Sequence, residues 1–381
     1  MNNSNINTIN KNSSIKSNKN LSNNRNKLTI NTDNNVSDID NSHSIKLKSN
    51  INVNKVNCPF ELNKENDHNM INSEAKSKSN YDENSKLFYK SCEIVNDYCY
   101  NEYQNSRDYM EDYSKIIDNM SLTIPLKNKT ETSESSIDYN NRMLILLADG
   151  HGGDSASIYV KDQFPLVFKN AVSKLAENYS MSNNNEINLF INNNFEKIIK
   201  NTYLELDNSL KNETWASTQG STLNSVVITS DNSESETLTI NCANVGDSRS
   251  VLATKDSITR LSYDHKASDK NEKSRVEKEG GFISFGRLLS QLAITRAFGD
   301  IEYKEYGLSA EPYVYTTSVK KNNNNFIIVA SDGVWDVIED NELLKIIKDC
   351  DNDSQKINKL IIKTSIERGS LDNISCIVVK L

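Results

Sequence analysis

Apolar residues recur at two different spacings along this chain, and the change of spacing predicts two kinds of regular structure. Within residues 154–177 and 186–210 they return every three or four positions, as on one face of a helix. Pro165 lies inside the first of these segments, so we expect a helix with one break there. The polar residues 180–185 between the two helices predict a turn.

After Trp215 the pattern changes to alternation and short apolar runs, which predict strands. Residues 222–228, 238–243 and 249–253 follow one another with polar turns between them, so we expect an antiparallel meander. Further strands are predicted over residues 143–148, 326–330 and 374–379.

A shorter helix and a polar insertion complete the pattern. Residues 269–279 predict a helix that ends at Gly280, because glycine adopts the left-handed backbone conformation that commonly ends helices. Residues 127–141 are polar and predict a surface loop between two strands. Helices therefore fall in pairs between runs of strands. This order indicates an α+β fold in which two packed antiparallel sheets form a β-sandwich flanked by pairs of helices, a four-layer αββα arrangement.

The first 86 residues are dominated by Asn, Ser and Lys and follow neither spacing. Ordering such a stretch would cost more conformational entropy than its burial returns. The low hydrophobic content of the whole chain, 36%, agrees with this interpretation. We expect a disordered tail over residues 1–86, with a binding segment as the alternative, and one folded domain over residues 87–381.

Charge and cysteine usage narrow the function classes. The formal net charge of −8 provides no cationic field for nucleic acid or an anionic membrane. The six cysteines are scattered and match neither a zinc site nor a dense disulfide framework, so we expect reduced thiols in an intracellular protein. No apolar run approaches the roughly 20 residues that span a bilayer. We expect a monomer in the cytoplasm, with the nucleus as a second location and without stable membrane insertion.

Five short acidic motifs are candidates for the functional site, and several of them adjoin strongly apolar runs. A carboxylate at the end of a buried strand is costly unless it is paired or coordinated, so several together indicate hard cations such as Mg²⁺ or Mn²⁺. With only four histidines in the chain, an imidazole-rich zinc site is disfavoured. Two hard cations about 3.5–4 Å apart can activate a water for in-line attack on phosphorus. The motifs are RDYMED at 107–112, DGHGG at 149–153, GDSR at 246–249, SDGVWD at 331–336 and LDN at 371–373.

Further motifs in the same order make the set specific. They are TQGST at 218–222, ANVGDSR at 243–249, DHK at 264–266, ITRAFGD at 294–300 and AEP at 310–312. Together the motifs resemble the metal-dependent protein phosphatase family, also called the protein phosphatase 2C family, over residues 87–381. The resemblance implies hydrolysis of phosphoserine and phosphothreonine in phosphoprotein substrates, by direct attack of water and without a covalent phosphoenzyme.

Carried over residue by residue, the resemblance implies two Mg²⁺ or Mn²⁺ ions held by oxygen ligands. Asp149 bridges both ions. Glu111 and the backbone carbonyl of Gly150 complete one site, while Asp332 and Asp372 hold the other.

The same resemblance implies three catalytic residues and a weaker third ion. Asp112 orients the attacking water, and Arg107 binds the phosphoryl group because its planar fork matches phosphate oxygens. His151 donates a proton to the departing serine or threonine oxygen. Asp247 and Asp336 resemble the ligands of the third ion.

Three of these residues have a structural alternative. His151 could be an ordinary structural histidine, and Arg107 could pair with Glu111 or the neighbouring aspartate at the surface. Asp247 could stabilise a turn through hydrogen bonds. We interpret Asp300 as mainly structural.

Two departures from the family pattern affect loops. Asn105 stands where the family often has glycine, and Leu289-Ser290 replaces a usual Asn-Gly pair. The second departure lies beside a flap over residues 266–289, so it bears on loop flexibility and substrate choice.

Two other functions remain open at this point. One is an inactive family member that uses the same fold as a binding module. The other is a nucleotidase or another phosphomonoesterase acting on small molecules, which would use the same metals. A nucleotide phosphate loop is disfavoured, because the glycines at 150–153 are followed by aspartate and not by the Lys-Ser/Thr ending of such loops.

Overall fold

A computed structural model describes residues 87–91, 94–126, 135–139, 141–230, 236–322 and 324–381. The predicted tail over residues 1–86 lies outside these ranges, and so do residues 127–134 and 140 of the predicted polar loop. None of the described helices has both the length and the apolar character that crossing a bilayer requires.

Strands and helices follow one another in the order that the spacing of apolar residues predicts, with additional short elements. The strands are β1 Phe88–Ser91, β2 Asp97–Tyr103, β3 Asp112–Ile117, β4 Leu122–Leu126, β5 Ser135–Tyr139, β6 Arg142–His151, β7 Gly220–Ser221, β8 Leu223–Ser230, β9 Thr237–Val245, β10 Arg249–Ala253, β11 Ile258–Arg260, β12 Ile283–Ser284, β13 Arg287–Leu288, β14 Phe298–Gly299, β15 Tyr313–Lys320, β16 Phe326–Ala330 and β17 Ile374–Lys380. The helices are α1 Ser155–Ala176, α2 Asn184–Leu210, α3 Lys270–Lys278, α4 Ile301–Lys304, α5 Asp332–Trp335, α6 Leu343–Asp349 and α7 Ser354–Glu367.

Two large antiparallel sheets carry the fold. Among the described residues, the first sheet has the strand order β1-β2-β17-β16-β10-β11. The second has the order β14-β7-β6-β8-β9-β15, and β3 adds to β6. The hairpins β4–β5 and β12–β13 stand apart from both sheets.

The two faces of β6 show how the layers are stacked. Met143, Ile145 and Leu147 pack in a core shared with β16 and β17 of the first sheet, so the two sheets lie face to face. Leu144 and Leu146 point the other way, into a core formed with α1 and α2. A strand buried on both faces reads as a continuous apolar run, which explains why this segment was identifiable in the sequence.

Helices cover the outer face of the first sheet as well. Residues of β16 and β17 pack there against α6, α7 and the ring of Trp335. The α+β sandwich with helices on both outer faces is therefore confirmed.

The termini of the predicted helices have identifiable causes. Asn183 caps α2 by accepting a hydrogen bond from the backbone N–H of Glu186 at 3.0 Å. Asp269 caps α3 by accepting from Asn271 and Glu272, and Gly280 follows the helix at φ +92°. Both predicted helices are confirmed to within two residues at each end.

The predicted break at Pro165 is wrong, because α1 continues through this residue. A proline inside a helix removes one hydrogen bond and costs about 3 kcal/mol. Pro165 is buried, and its neighbours Phe164 and Phe168 lie in the core between α1, α2 and the second sheet. Burial of such side chains contributes roughly 1.5–3 kcal/mol each, which offsets the local penalty.

Two strand predictions also need correction. The single meander is wrong, because β8 and β9 pair in the second sheet whereas β10 pairs with β16 in the first. Alternation of apolar and polar residues indicates that a strand is half buried, but it does not indicate to which sheet the strand belongs. Residues 135–139, which we predicted in a loop, form β5 and pair with β4.

Candidate metal centre

Three aspartates from different elements converge at one end of the sandwich. Asp149 lies near the end of β6, Asp247 lies in the turn between β9 and β10, and Asp332 begins α5 directly after β16. One carboxylate oxygen of each lies within 4.8 Å of those of the other two. Asp247 joins the group because the chain crosses from the second sheet to the first in this turn.

Asp112 extends this group from the neighbouring strand. Its Cα pairs with that of Asp149 in the register of β3 and β6. The side chain is buried, and its Oδ2 has no hydrogen-bond partner among the described residues. Burial raises the pKa of Asp112 to about 7, and the charge of Asp372 acts in the same direction.

The electrostatics of this group favour a cation. Burial raises the pKa of Asp149 and of Asp332 well above the usual range, and the negative charges of the other aspartates raise both further. Burial and neighbouring carboxylates likewise raise the pKa of Asp247 to about 6, against the lowering effect of Lys266. The donors are oxygen atoms only, which suits hard divalent cations. The residues present therefore fit such metals.

Glu111 is held against the DGHGG loop by its backbone and its side chain. Its carbonyl oxygen accepts hydrogen bonds from the Gly150 N–H at 3.1 Å and from Ser157 Oγ at 2.7 Å. Its Oε1 accepts from the N–H of Gly153 at 2.7 Å. A Cβ at position 150 would lie 2.7 Å from the Glu111 carbonyl oxygen, so this close approach requires glycine.

Asn373 supports the same loop from the other sheet. Its Oδ1 accepts a hydrogen bond from the backbone N–H of Glu111 at 2.8 Å. Its Nδ2 donates to the carbonyl oxygens of Gln104 and Tyr109. We assigned no role to Asn373 from the sequence, although its position directly after Asp372 was a usable signal.

Arg107 lies at the exposed rim of the aspartate group. Its Nη2 lies 2.6 Å from Asp372 Oδ2, and its Nη1 lies 3.7 Å from Glu111 Oε2. About half of the side chain is exposed, at 48%. The pairing with Asp372 is much closer than the surface pairing with Glu111 that we considered as the alternative.

Asn105 adopts a backbone conformation typical of glycine, at the position where the family often has that residue, next to the Arg107 loop. Its backbone has φ +54°, a left-handed conformation that asparagine tolerates better than most residues. Its Nδ2 also donates to the carbonyl oxygens of Ser370 and Asp372 at 2.6 and 2.9 Å. The substitution therefore ties the Arg107 loop to the Asp372 loop.

His151 faces a carboxylate that we interpreted as structural. Its Nε2 lies 2.5 Å from Oδ2 of Asp300, which is almost completely buried. Burial by itself lowers the pKa of His151, but the hydrogen bond and charge of Asp300 outweigh that effect and raise it.

Asp247 and Asp336, the predicted ligands of a third ion, are bridged by a lysine. Lys266 Nζ lies 2.6 Å from Asp336 Oδ1 and 3.9 Å from Asp247 Oδ2. Asp336 is largely exposed and lies outside the group formed by Asp149, Asp247 and Asp332. The DHK motif thus contributes a cation to this edge of the site.

Known proteins resemble this chain over most of the described domain. The family described as Protein phosphatase 2C matches residues 96–374. Protein phosphatase 1L of Bos taurus is 32% identical over 73% of this chain and 70% of its own length. A probable protein phosphatase 2C of Arabidopsis thaliana is 31% identical over 66% of this chain, which spans about half, 51%, of that protein.

The fold has solved counterparts. The crystal structure of a serine-threonine phosphatase 2C from Toxoplasma gondii superposes with a TM-score of 0.57 at 18% identity, over 77% of this chain and 99% of that one. At this identity the likeness concerns the fold alone. The matched family, the relatives and the fold together show that this chain belongs to the protein phosphatase 2C family of serine/threonine phosphatases.

Proposed function

We propose that this protein removes phosphate from phosphoserine and phosphothreonine side chains by direct attack of water on phosphorus, without a covalent phosphoenzyme. The observation that carries the proposal is the convergence of three aspartates, one buried and two half-buried, with an arginine at their exposed rim. Carboxylates hold hard cations, and a guanidinium binds phosphate oxygens in a bidentate manner. The cations and the guanidinium would together bind the doubly charged phosphoryl group.

Two Mg²⁺ or Mn²⁺ ions are the proposed cofactors. Glu111, Asp149 and the carbonyl of Gly150 would hold one, and Asp149, Asp332 and Asp372 the other. When bound, such ions lower the pKa of water and neutralise charge on the phosphoryl group. Support comes from the raised pKa values of Asp149 and Asp332, whose mutual repulsion a cation would relieve.

A weaker third ion would bind Asp247 and Asp336. Lys266 already supplies positive charge between these two side chains. The third ion would therefore have to displace the ammonium group, which is consistent with weak binding.

Three side chains would act on the substrate and the water. Arg107 would bind the phosphoryl oxygens. To do so its guanidinium would give up part of its ion pair with Asp372. Asp112 would orient the attacking water with the oxygen that has no partner among the described residues. His151 would give a proton to the departing oxygen, whose basicity makes acid assistance valuable.

The remaining assignments follow from the sequence. Phosphoproteins are the proposed substrates of a monomeric enzyme in the cytoplasm and nucleus that binds no nucleic acid. The catalytic domain would cover residues 87–381, and the tail over residues 1–86 would lie outside it.

Phosphate release from a phosphothreonine peptide in the presence of Mn²⁺ tests the proposal. The wild-type protein should release phosphate, Asp149→Ala should not, and the exposed variant Asp162→Asn should match the wild type. Metal binding by the wild type without phosphate release would indicate an inactive binding module. Faster hydrolysis of nucleoside monophosphates than of the peptide would indicate a small-molecule phosphomonoesterase.

A further inference from the structure

A buried carboxylate contacts one ring nitrogen of His151, whose side chain is partly exposed. Asp300 Oδ2 lies 2.5 Å from His151 Nε2, and the two side chains are 1% and 29% exposed. A carboxylate can only accept a hydrogen bond, so Nε2 carries the proton that is shared with Asp300. Among the described residues no hydrogen bond involves Nδ1, which leaves that nitrogen available to a ligand.

We infer that Asp300 is a positioning residue, which holds the imidazole of His151 through Nε2 so that Nδ1 is presented to the departing oxygen of the substrate. The inference rests on the acid role proposed for His151. The oxygen of the attacking water forms a bond to phosphorus as the bond to the departing oxygen breaks. The departing oxygen keeps the electron pair of that bond and takes the proton from Nδ1 of an imidazole protonated on both nitrogens, and a proton released by the attacking water then returns to Nδ1. The Nε2 proton stays on its hydrogen bond to Asp300.

The backbone next to this contact leaves no room for a side chain at position 220. His151 pairs with Gly220 in the register of β6 and β7, and Gly220 pairs with Gly299 in that of β7 and β14. A Cβ at position 220 would lie 2.6 Å from His151 Nε2 and 2.5 Å from Asp300 Cγ. Any side chain there would push the imidazole and the carboxylate apart.

Asp300 is held in place at a conformational cost. Its backbone has φ +48°, a left-handed conformation that costs an ordinary residue roughly 1–2 kcal/mol. Its N–H donates to the carbonyl oxygen of Gln219 at 3.0 Å. Backbone strain of this kind persists where the surroundings over-determine it, commonly at functional sites.

Lys304, a half-buried lysine one turn later, interacts electrostatically with Asp300. Lys304 donates to Asp207 at 2.9 Å and to the carbonyl oxygen of Ala297 at 2.8 Å, and its charge interacts with Asp300. Asp207 in turn accepts from the N–H of Gly299 at 3.1 Å. These contacts tie Lys304 and Asp207 to the backbone of residues 297–299, directly before Asp300.

This contact gives a role to two motifs that metal binding leaves unexplained. TQGST at 218–222 supplies Gly220 and the carbonyl that holds Asp300, and ITRAFGD at 294–300 supplies Asp300 itself. Neither motif provides a proposed ligand of the two main ions. A purely structural role of Asp300, as an anchor of β14, is the alternative that the test must separate.

Asp300→Asn is the sharpest variant, because asparagine keeps the size and tolerates the left-handed backbone while it removes the charge. Turnover is measured on the full chain with Mn²⁺, using a phosphothreonine peptide and p-nitrophenyl phosphate. The nitrophenolate leaves without protonation, so only peptide hydrolysis needs the acid. We expect kcat on the peptide to fall about 10–100-fold, with KM within about twofold and p-nitrophenyl phosphate hydrolysis within about threefold.

His151→Gln and the double variant separate positioning from folding. If Asp300 acts through His151, the double variant should match His151→Gln within about twofold. Equal losses on both substrates in Asp300→Asn, or a further loss in the double variant, would overturn the inference. If His151→Gln itself shows no preference between the substrates, the proposed acid role fails, which is a separate result.

Two further measurements cover the case in which Asp300→Asn does not fold. Gly220→Ala should reproduce the peptide-selective loss, because the added methyl group separates the same two side chains. In the Mg²⁺-loaded wild type, nitrogen-15 spectroscopy of the four histidines should show a protonated, hydrogen-bonded Nε2 that disappears in His151→Gln. An unprotonated Nε2 in His151 would contradict the inference, and Asp162→Asn serves as the unaffected control.

Discussion

Asp112 and Asp149 stand opposite each other in one rung of the pairing between β3 and β6. Opposed residues of antiparallel strands have their side chains on the same face of the sheet, so two carboxylates share one side of the sandwich. The pKa of both is raised, in each case first by burial and then by neighbouring negative charge. In the metal-free protein this pair therefore destabilises the fold that it serves.

Asp149→Asn should for this reason stabilise the metal-free protein while it abolishes the response to metal. Removing one half-buried charge from this group of carboxylates should raise the free energy of unfolding by about 1 kcal/mol or more, which corresponds to about 2–4 °C in the melting temperature. Thermal melts in chelator and in Mn²⁺ measure both effects. A variant that melts lower than wild type in chelator, or still gains stability from Mn²⁺, contradicts the assignment.

Arg107 should not be replaceable by lysine. Its two terminal nitrogens approach Asp372 and Glu111, a fork geometry that an ammonium group lacks. Loss of charge-assisted hydrogen bonds worth about 1.5–3 kcal/mol should lower kcat/KM of Arg107→Ala about 10–100-fold on a phosphothreonine peptide. Arg107→Lys should recover only part of this loss. Equal kinetics of the lysine variant and the wild type would show that charge alone matters.

The secondary structure was largely predictable, because burial leaves a local signature in the sequence. The continuous apolar run of β6 and the three-to-four spacing of α2 both reflect how their faces pack. The continuation of α1 through Pro165 was not predictable, and neither was the sheet to which β10 belongs, because both depend on tertiary packing. Local patterns contain no information on either.

The position of the aspartate group could be predicted from the sequence, but the side chains that contact this group could not. Acidic motifs at strand ends identified Asp149 and Asp332 without a structure. Asp300 contacts His151 across 149 positions of sequence, so no spacing rule connects them. Lys266 likewise reaches Asp336 across 70 positions, from the DHK motif, to which we assigned no role from the sequence.

Glu272 should make stability depend on pH. It is buried in α3 and accepts hydrogen bonds from Arg275, Arg296 and Thr295 at 2.7–3.2 Å. Burial by itself raises the pKa of Glu272, but the two guanidinium groups outweigh it and hold the pKa well below its usual range. Because the pKa is depressed in the folded state, its stabilisation is present above the unfolded value, about 4.3, and lost as pH falls.

Urea unfolding of Glu272→Gln tests this contribution. Leaving two half-buried guanidinium groups without their buried carboxylate partner should cost about 3–5 kcal/mol at pH 7, and the difference from wild type should shrink below about pH 4. Glu277→Gln, which removes an exposed ion pair with Lys273 at 3.8 Å, should change stability by less than about 0.5 kcal/mol. A difference independent of pH would contradict the ion-pair explanation.

Ser290→Gly should stabilise the protein. Leu289 and Ser290 keep the left-handed backbone, φ +48° and +64°, for which the family often uses Asn-Gly. Glycine removes a strain of roughly 1–2 kcal/mol and costs about 0.5–1 kcal/mol in backbone entropy, so the net gain should be about 0.5–1 kcal/mol. Ser284→Gly, in β12, should destabilise instead. A loss of stability in both variants would refute the strain argument.

Lys266→Met should tighten the proposed third metal site. The ammonium group lies between Asp247 and Asp336 and competes with a divalent cation for their oxygens. Removing it should raise the affinity of the weakest Mn²⁺ binding event roughly tenfold, about 1.4 kcal/mol. Calorimetry measures this event directly, with the exposed Lys270→Met as the control. An unchanged weak event in Lys266→Met would disprove competition.

Anomalous diffraction from crystals grown with Mn²⁺ tests the central claim most directly. The account predicts two manganese peaks, both in contact with Asp149, one also bound by Glu111 and the Gly150 carbonyl and the other by Asp332 and Asp372. Manganese bound elsewhere, or an Asp149 carboxylate that contacts neither peak, would contradict it.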